Sequence, residues 1–249
     1  MANTQLSKSC GPNRPCGFNS RPRHYTMSIL PQWSAEMAYV VGMITTDGSL
    51  SIDGRHITIT STDIQLLETC LHCLHKTTRI SPNPIGSLSK KPAFRIQIGD
   101  VILYRWLLKI GLFPRKSLTL KSLHIPDEYF PDFLRGHLDG DGSIIHYTDR
   151  YLTKNNPSYI YDRVFVYFLS GSNSHILWIR KKIEELRKIR GSLSPSKSKT
   201  QKGTSVMYRL KYSTKEAKIL LNWMYYRSEL PCLHRKFQIA KPYITLLSE

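Results

Sequence analysis

A duplicated motif constrains the fold of this chain more than any other feature of its sequence. The segment VVGMITTDGSL at 40–50 returns as LRGHLDGDGSI at 134–144, with Gly42, Asp47 and Gly48 recurring at a constant offset of 94. The stretches that follow each copy recur in the same order, as an alternating hairpin, a helix, a second hairpin and a second helix. The sequence therefore predicts an α+β protein of two pseudo-symmetric halves, each ordered αββαββα.

The duplication divides the 249 residues into three expected parts. Residues 34–124 form the first half, and residues 125–249 form the second. Residues 1–33 contain no acidic residue and are rich in Ser, Pro, Asn and Gly, a composition typical of a flexible basic arm. A transit peptide has a similar composition and stays open as an alternative.

Both motif segments have helical periodicity, and small residues recur on one face of each. Ala38, Gly42 and Thr46 are four residues apart in the first copy, as are Gly136 and Gly140 in the second. Residues with this spacing lie on the same side of a helix, and small ones let two helix backbones approach closely. We therefore expect the two motif helices to pack against each other about a pseudo-twofold axis.

An aspartate and a glycine end each motif helix, Asp47-Gly48 in the first copy and Asp141-Gly142 in the second. We expect both glycines to take the left-handed conformation that often follows a helix. A carboxylate at this place faces the negative end of its own helix dipole, and two such carboxylates brought together repel each other. A hard divalent cation between them would relieve both effects, so Asp47 and Asp141 are predicted metal ligands.

The chain is strongly basic, with 36 Lys and Arg against 18 Asp and Glu and a formal net charge of +18. This excess predicts a polyanionic partner, most simply nucleic acid, because each neutralised phosphate releases condensed counterions. An anionic membrane surface would also fit the charge. However, the sequence has no basic amphipathic anchor and no run of about 18 apolar residues. Two carboxylate sites on a basic protein suggest phosphodiester hydrolysis, with one strand at each site.

The five cysteines predict reduced thiols rather than a disulfide framework. Their number is odd and the sequence shows no secretory signal, which indicates an intracellular protein of the bacterial cytoplasm or an organelle matrix. Cys70 and Cys73 form a C-x-x-C pair with His72 and His75 nearby, so a zinc site is considered. The helical periodicity around them and the absence of a second half-site favour two small, partly buried side chains.

The two motifs resemble the LAGLIDADG motif of homing endonucleases, in the single-chain form with two motifs. The resemblance covers roughly residues 34–245, since the helix and hairpin order fits each half as well. The second copy is close to the consensus, whereas the first has Thr45 where an acid is common. The eighth position, which is the catalytic one in the family, is aspartate in both copies, Asp47 and Asp141.

The resemblance implies antiparallel sheets that form a DNA-binding saddle, with the motif helices packed at the interface of the halves. It also implies a site-specific, Mg²⁺-dependent double-strand break with short 3′ overhangs, two or more metal ions, and a coding position inside a mobile intron. Because the two halves differ in sequence, we expect a monomer that recognises a long asymmetric target in double-stranded DNA.

Family members often have a catalytic lysine in the segment that closes each half. The segments PRKSLTL at 114–120 and HRKFQIA at 234–240 occupy equivalent places, which makes Lys116 and Lys236 candidates for stabilising charge on the phosphate. For either lysine a phosphate-contacting or solvated role is the alternative. A polar residue after the first hairpin often borders the site and corresponds to Asp63 and Asn173, which also look like helix N-caps.

The alternation of the predicted strands identifies the residues that face a DNA major groove. In the first half these are Ser51, Arg55, His56, Thr58, Thr60, Arg79, Arg95 and Gln97, and in the second they are Arg209 and Lys211, with Tyr147 and Tyr167 as weaker candidates. The long hairpin tip at 192–203 adds Lys197 and Lys199, which we expect to reach backbone phosphates. For each single residue, an ordinary polar sheet face is the alternative.

Two other classes of function remain open. One is an RNA-binding maturase that helps its host intron to fold, which would make intron RNA a partner. The other is a DNA-binding regulator without catalysis, although such a protein would be expected to lack one of the two aspartates. An intein is disfavoured, because the sequence begins with Met1 and lacks the His-Asn terminus of splicing chemistry.

Overall fold

The computed structural model describes residues 30–83, 92–153, 156–200 and 203–245. It describes no side chains in the hairpin segments 151–159 and 198–205. Most of the predicted basic arm, residues 1–29, lies outside the described residues.

The first half follows the predicted order of helices and strands. Its elements are α1 (Ala35–Thr46), β1 (Gly48–Leu50), β2 (His56–Ser61), α2 (Ile64–Cys73), β3 (Ser81–Asn83), β4 (Ala93–Gly99) and α3 (Val101–Lys109). A short 3-10 turn, Lys116–Leu118, follows α3. The side chain of Ser34 caps α1 by accepting a hydrogen bond of 3.1 Å from the Met37 N–H.

The second half repeats this order with longer strands and one extra helix. Its elements are α4 (Phe130–Gly140), β5 (Ser143–Thr153), β6 (Asn156–Ser170), α5 (Asn173–Arg187), β7 (Ser192–Thr200), β8 (Gly203–Tyr212), α6 (Thr214–Met224) and α7 (His234–Ala240). The 3-10 turns Asp127–Tyr129 and Lys241–Tyr243 precede α4 and follow α7. Pro131 lies in the first turn of α4, where a missing N–H costs nothing.

Each half contains one four-stranded antiparallel sheet. The strand order is β1-β2-β4-β3 in the first sheet and β5-β6-β8-β7 in the second, so the two orders are equivalent. Ile57, Ile59, Ile96 and Ile98 face the core of the first sheet, and Val164, Val166, Phe168 and Leu210 face that of the second. The α+β class and the antiparallel sheets are confirmed.

Helices α1 and α4 pack at a very short distance, as the small-residue stripes predict. A Cβ atom added to Gly42 would lie 2.2 Å from the Phe133 carbonyl oxygen, and one added to Gly136 would lie 2.0 Å from the Tyr39 carbonyl oxygen. Any side chain at Gly42 or Gly136 would therefore push the two helix backbones apart.

The prediction of left-handed glycines after the motif helices is wrong. Among the described residues only Gly54 and Gly111 are glycines with positive φ. Glycine is instead required at positions 48 and 142 because there is no room for a Cβ atom. A Cβ at Gly48 would lie 2.5 Å from the Ile44 Cα, and one at Gly142 would lie 2.7 Å from the Tyr167 carbonyl oxygen. The chain enters the following strand directly past the last helical turn.

Two hairpins also differ from expectation. The pair Asp53-Gly54 is typical of a two-residue hairpin turn, but it belongs to a five-residue connection between β1 and β2. In this connection the Asp53 carboxylate accepts from the main-chain N–H groups of Arg55 and His56. The segment 192–203, expected as a loose tip, is strand β7 paired with β8 from Ser192↔Lys211 to Thr200↔Gly203. Ser196 and Lys197 are both exposed, so this part of the strand is solvated on both faces.

Cys70 and Cys73 lie on the core side of α2, where burial raises the pKa of the Cys73 thiol to about 12 and that of Cys70 further. Both pack as small apolar side chains. His72 and His75 are exposed.

Within the described ranges no helix combines the length and the apolar character that a membrane crossing needs.

Candidate functional site

The close packing of α1 and α4 brings Asp47 and Asp141 together at the C-terminal ends of these helices. Each aspartate is the C-cap residue of its helix. Asp47 is half-buried, and Asp141 keeps an exposed side. The approach is tightest at Gly140, where an added Cβ would lie 1.9 Å from Thr46 Oγ1 and 3.3 Å from an Asp47 carboxylate oxygen.

The pKa values of both carboxyl groups are raised. Burial, together with the negative charge of Asp141, raises the pKa of Asp47 to about 7. Loss of hydration also raises the pKa of Asp141, although the ammonium groups of Lys236 and Lys116 oppose this shift. Two like charges held at two helix C-termini form a site that attracts a cation.

Lys116 and Lys236, one from each half, interact electrostatically with both aspartates. Each side chain is only 4% exposed. Lys116 donates to the Gly48 carbonyl, and Lys236 donates to the carbonyl oxygens of Leu138, Asp139 and Gly142 at 2.6, 2.8 and 2.7 Å. Burial lowers the pKa of both ammonium groups to about 8, against the attraction of Asp47 and Asp141.

Both lysines therefore have a structural task as well as a candidate catalytic one. The last carbonyl groups of α4 have no partner within the helix, and the Lys236 ammonium supplies one together with a positive charge at the negative end of the dipole. Gly48 and Gly142 are equivalent at the offset of 94, so Lys116 and Lys236 bind equivalent carbonyls of the two halves.

The carboxylate oxygens of Asp47 and Asp141 are the kind of ligand that a hard divalent cation prefers. Within the described residues, no cluster of three or more His, Cys, Asp or Glu side chains could hold a metal ion. Mg²⁺ commonly binds through one or two carboxylates and completes its shell with water and substrate phosphate. Asp47 and Asp141 supply two such carboxylates, and a bound cation would offset the burial that raises the pKa of both.

Two cavities flank the carboxylate pair. One, of about 250 Å³, is lined by Asp47 together with Asp139, Thr60 and Arg235. The other, of about 130 Å³, is lined by Asp141 together with Thr45, His137 and His175. They occupy equivalent places in the two halves but differ in the chemistry of their walls.

Asp63 and Asn173 lie in different surroundings. Asp63 is the N-cap residue of α2, and its carboxylate makes an ion pair of 3.1 Å with Arg235. The prediction that Asn173 is an N-cap is wrong by one residue, because Ser172 caps α5 and accepts from the His175 N–H. Asn173 is exposed in the first turn of the helix.

The outer face of the first sheet carries the predicted polar residues. Arg95 and Gln97 are exposed on β4, and Thr58 pairs with Gln97 across the register. The same face holds His56, Thr60 and, in the adjoining turn, the half-buried Ser51. Arg55 and Arg79 are exposed beside the strands. Ser49 on β1, which the sequence reading missed, is also exposed here.

The outer face of the second sheet is aromatic and basic. The rings of Tyr147 and Phe165 stack with centroids 5.8 Å apart. The Lys211 ammonium lies 4.1 Å from the centroid of Phe165, and the Arg209 guanidinium lies 5.5 Å from that of Tyr167. The two sheets thus offer different surfaces, one rich in hydrogen-bonding groups and the other in rings and cations.

The lysines of the β7–β8 hairpin are placed differently from Arg209. Lys197 is exposed, but it pairs with Val206 and so belongs to the sheet face opposite Arg209. The Lys199 side chain lies outside what the structure describes.

The sequence reading also missed His137, His175 and Asp139 as groups near the carboxylates. The one available signal was that His137 and Asp139 replace Met43 and Thr45 between the two motif copies.

Comparison of the sequence with protein-family models and with curated proteins found no match. Comparison of the structure found similar solved structures. The LAGLIDADG meganuclease I-AabMI bound to uncleaved DNA has a TM-score of 0.51 and 14% identity, covering 82% of this chain and 87% of that one. Mesophilic variants of the homing endonuclease I-DmoI have a TM-score of 0.50 and 12% identity, and the match covers 83% of this chain and 97% of that one.

Full-length DUF199/WhiA from Thermatoga maritima has a TM-score of 0.49 and 15% identity, and the match covers 88% of this chain. This chain spans 64% of the length of that protein. The structure itself has two four-stranded sheets around a pair of motif helices. The chain has the LAGLIDADG fold that the repeat predicts.

Proposed function

We propose that the protein is a metal-dependent DNA endonuclease that cuts both strands of a specific target. One observation carries this proposal. The two motif helices bring one carboxylate from each half, 34–124 and 125–249, to a shared end where each faces a buried lysine. A site with two equivalent centres suits a substrate with two equivalent bonds, namely the two strands of a duplex.

The residues have separate tasks. Asp47 and Asp141 would hold Mg²⁺ ions, which lower the pKa of water and stabilise charge on a phosphate when bound. Lys116 and Lys236 stabilise the helix ends that carry these carboxylates. They also place positive charge next to the position of the scissile phosphates, where negative charge develops during hydrolysis.

The sheets supply recognition in this proposal. Arg95 can bridge the O6 and N7 atoms of guanine, and Gln97 can bridge the N6 and N7 atoms of adenine. On the second sheet, Arg209 and Lys211 can contact phosphates or bases, and the rings of Tyr147 and Tyr167 can contact thymine methyl groups. The two faces are unlike, so a monomer would read an asymmetric target.

The test is cleavage of a randomised duplex library in Mg²⁺, followed by sequencing of the cut ends. We expect one long motif with staggered ends, and no product in Ca²⁺. The variant Asp47→Asn/Asp141→Asn should bind the same motif without cutting it. If the wild-type protein retains DNA in a salt-sensitive way but yields no ends under any divalent cation, the nuclease proposal fails and a DNA-binding regulator replaces it.

The second sheet favours one further candidate function, binding of RNA. A sheet face with stacked rings next to Lys and Arg is the arrangement on which unpaired bases stack in many RNA-binding proteins. Capture of structured intron RNA that competes with duplex DNA, and that is lost on Tyr167→Ala, would support it. RNA binding that is unchanged in Tyr167→Ala would contradict it.

A further inference from the structure

Arg235 lines two cavities, one of which contains Asp47. That cavity has a volume of about 250 Å³, and the second, of about 480 Å³, is lined by Arg235 together with Thr62, Asp63 and Pro92. The Arg235 side chain is 63% exposed, so an anion from solution can reach it. Arg235 belongs to α7 of the second half and therefore adds a cation to the surroundings of an aspartate in the first half.

The guanidinium of Arg235 is held by one acceptor. Its Nε–H donates to the Asp63 carboxylate at 3.1 Å, across a separation of 172 residues. Asp63 is the N-cap residue of α2, yet its side chain caps no N–H of that helix, so the carboxylate is free for Arg235. An exposed ion pair of this kind contributes little to stability, so its main consequence is the orientation of the guanidinium.

The main chain next to Arg235 is also fixed across the two halves. The side chain of Gln65, on α2, accepts from the His234 N–H at 2.9 Å and donates to the Cys232 carbonyl oxygen at 2.9 Å. The start of α7 is thus held in place before any ligand binds. This order lowers the entropy cost of a contact that the Arg235 side chain makes with a ligand.

Most of the hydrogen-bonding capacity of Arg235 is unused. A guanidinium carries five N–H donors, and among the described residues only the Nε–H of Arg235 has a protein acceptor. The donors on the two terminal nitrogens form a planar fork that matches two oxygens of a phosphate. On a protein with a net charge of +18, the anion that this fork meets most readily is a backbone phosphate of nucleic acid.

The equivalent arginine of the first half is placed differently. Lys116 and Lys236 match at an offset of 120, so Arg115 matches Arg235. Arg115 is exposed and has a left-handed backbone with φ 59°. It is not among the residues that line the cavity of Asp141. The duplication thus supplies a matched pair of arginines, of which one lies beside an aspartate cavity and the other does not.

We propose that Arg235 binds a backbone phosphate of the DNA strand that is cut at Asp47, and that Asp63 orients its guanidinium for this contact. Arg115 has no corresponding task. The inference rests on the proposed nuclease function and adds to it a substrate-binding residue that lies outside the two motifs and is not one of the two buried lysines. The competing explanation is that Arg235 only neutralises Asp63, whose negative charge would otherwise repel DNA.

Strand-resolved cleavage kinetics in Mg²⁺ separate these explanations. Arg235→Met removes the charge and keeps an aliphatic side chain. It should slow the cutting of one strand by about tenfold to a hundredfold, the effect of losing a hydrogen bond to a charged group, and leave the other strand at the wild-type rate. Arg115→Met, the matched control, should cut both strands at the wild-type rate. The double variant Asp63→Asn/Arg235→Met should be as slow as Arg235→Met, because the phosphate contact is missing in both.

Binding of uncut duplex in Ca²⁺ gives a readout that needs no cleavage. Methylphosphonate linkages, which carry no charge, are introduced one at a time along each strand. At one linkage the neutral group should weaken binding by the wild-type protein about tenfold and leave binding by Arg235→Met unchanged, as expected for the two partners of one contact.

Recovery of the wild-type rate in Asp63→Asn/Arg235→Met would assign Arg235 to neutralisation of Asp63. Equal slowing of both strands, no slowing, similar slowing by Arg115→Met, or a scan in which every linkage affects the wild type and Arg235→Met alike would also overturn the inference. A wild-type protein that binds its target but cuts neither strand would instead overturn the proposed function, and the linkage scan would still test the phosphate contact of Arg235.

Discussion

Asp47 and Asp141 are separated by 94 residues in the sequence, yet the charge of Asp141 contributes to raising the pKa of Asp47 to about 7. The relationship arises from helix packing, because Gly42 and Gly136 let α1 and α4 approach until their C-terminal ends meet. The free protein therefore contains a carboxylate pair under electrostatic repulsion.

The raised pKa of Asp47, caused first by burial and then by the charge of Asp141, predicts that Asp47→Asn stabilises the metal-free protein more at pH 8 than at pH 5. Between about pH 4 and pH 7 the folded protein binds more protons at Asp47 than the unfolded chain does, so the free energy of unfolding falls as the pH rises. Asparagine removes this dependence. After allowance for solvent screening we expect a gain of about 1–2 kcal/mol at pH 8, or roughly 2–8 °C in the melting temperature.

Thermal unfolding at the two pH values measures the effect. Asp162→Asn, which changes an exposed carboxylate on β6, is the matched control and should change the melting temperature little at either pH. Equal stabilisation by Asp47→Asn at pH 5 and pH 8 would show that the ionisation of Asp47 is not its origin.

The helix contact predicts a large difference between two Gly→Ala substitutions. Gly136→Ala directs its Cβ at the Tyr39 carbonyl oxygen, 2.0 Å away, so a backbone must move and we expect a loss of about 3 kcal/mol or more. Gly54→Ala lies in open space at φ +78°, so it should cost only about 1 kcal/mol, from left-handed strain alone. Chemical denaturation of both variants compares them, and similar losses would contradict the packing shown here.

The two buried lysines predict unequal effects on stability. Lys236 donates at 2.8 Å or less to three carbonyl groups near the end of α4, whereas Lys116 donates to one carbonyl. We expect Lys236→Met to destabilise the protein by about 2–3 kcal/mol and Lys116→Met by about 1 kcal/mol. Urea denaturation gives the two values, with the exposed Lys181→Met as a control that should lie within about 0.5 kcal/mol of wild type. A larger loss for Lys116→Met would mean that the carbonyl contacts are not the main contribution.

The outer face of the first sheet predicts a local change in target specificity. Arg95→Ala should relax the preference at one base pair by about 1–3 kcal/mol and leave the other positions unchanged. Selection from a randomised duplex library with each variant provides the measurement. Lys181 lies on the exposed side of helix α5 and not on the sheet. Lys181→Ala should therefore weaken binding without altering the preferred motif. A uniform weakening by Arg95→Ala would assign this arginine to phosphate contact instead.

Much of the architecture could be predicted from local patterns. The order of helices and strands, the inward isoleucines of β2 and β4, and the cap at Ser34 follow from periodicity and side-chain chemistry within a few residues. The bends around Gly48 and Gly142 could not be predicted in this way, since the space available to a Cβ depends on the neighbouring turn and on β6. The segment 192–200 has no apolar alternation, because it is mainly Ser and Lys, so local pattern predicts a loop where the structure has a strand.

The sequence by itself determined that two similar halves would pair through small-residue helices and present two aspartates, because a repeated pattern requires the same local structure twice. Only the tertiary structure decided what surrounds those aspartates. Lys116, Lys236, His137 and His175 reach the site from separate elements, and their burial, protonation and hydrogen bonds depend on neighbours distant in the chain. The same duplication therefore gives two symmetric backbones and two unequal chemical environments.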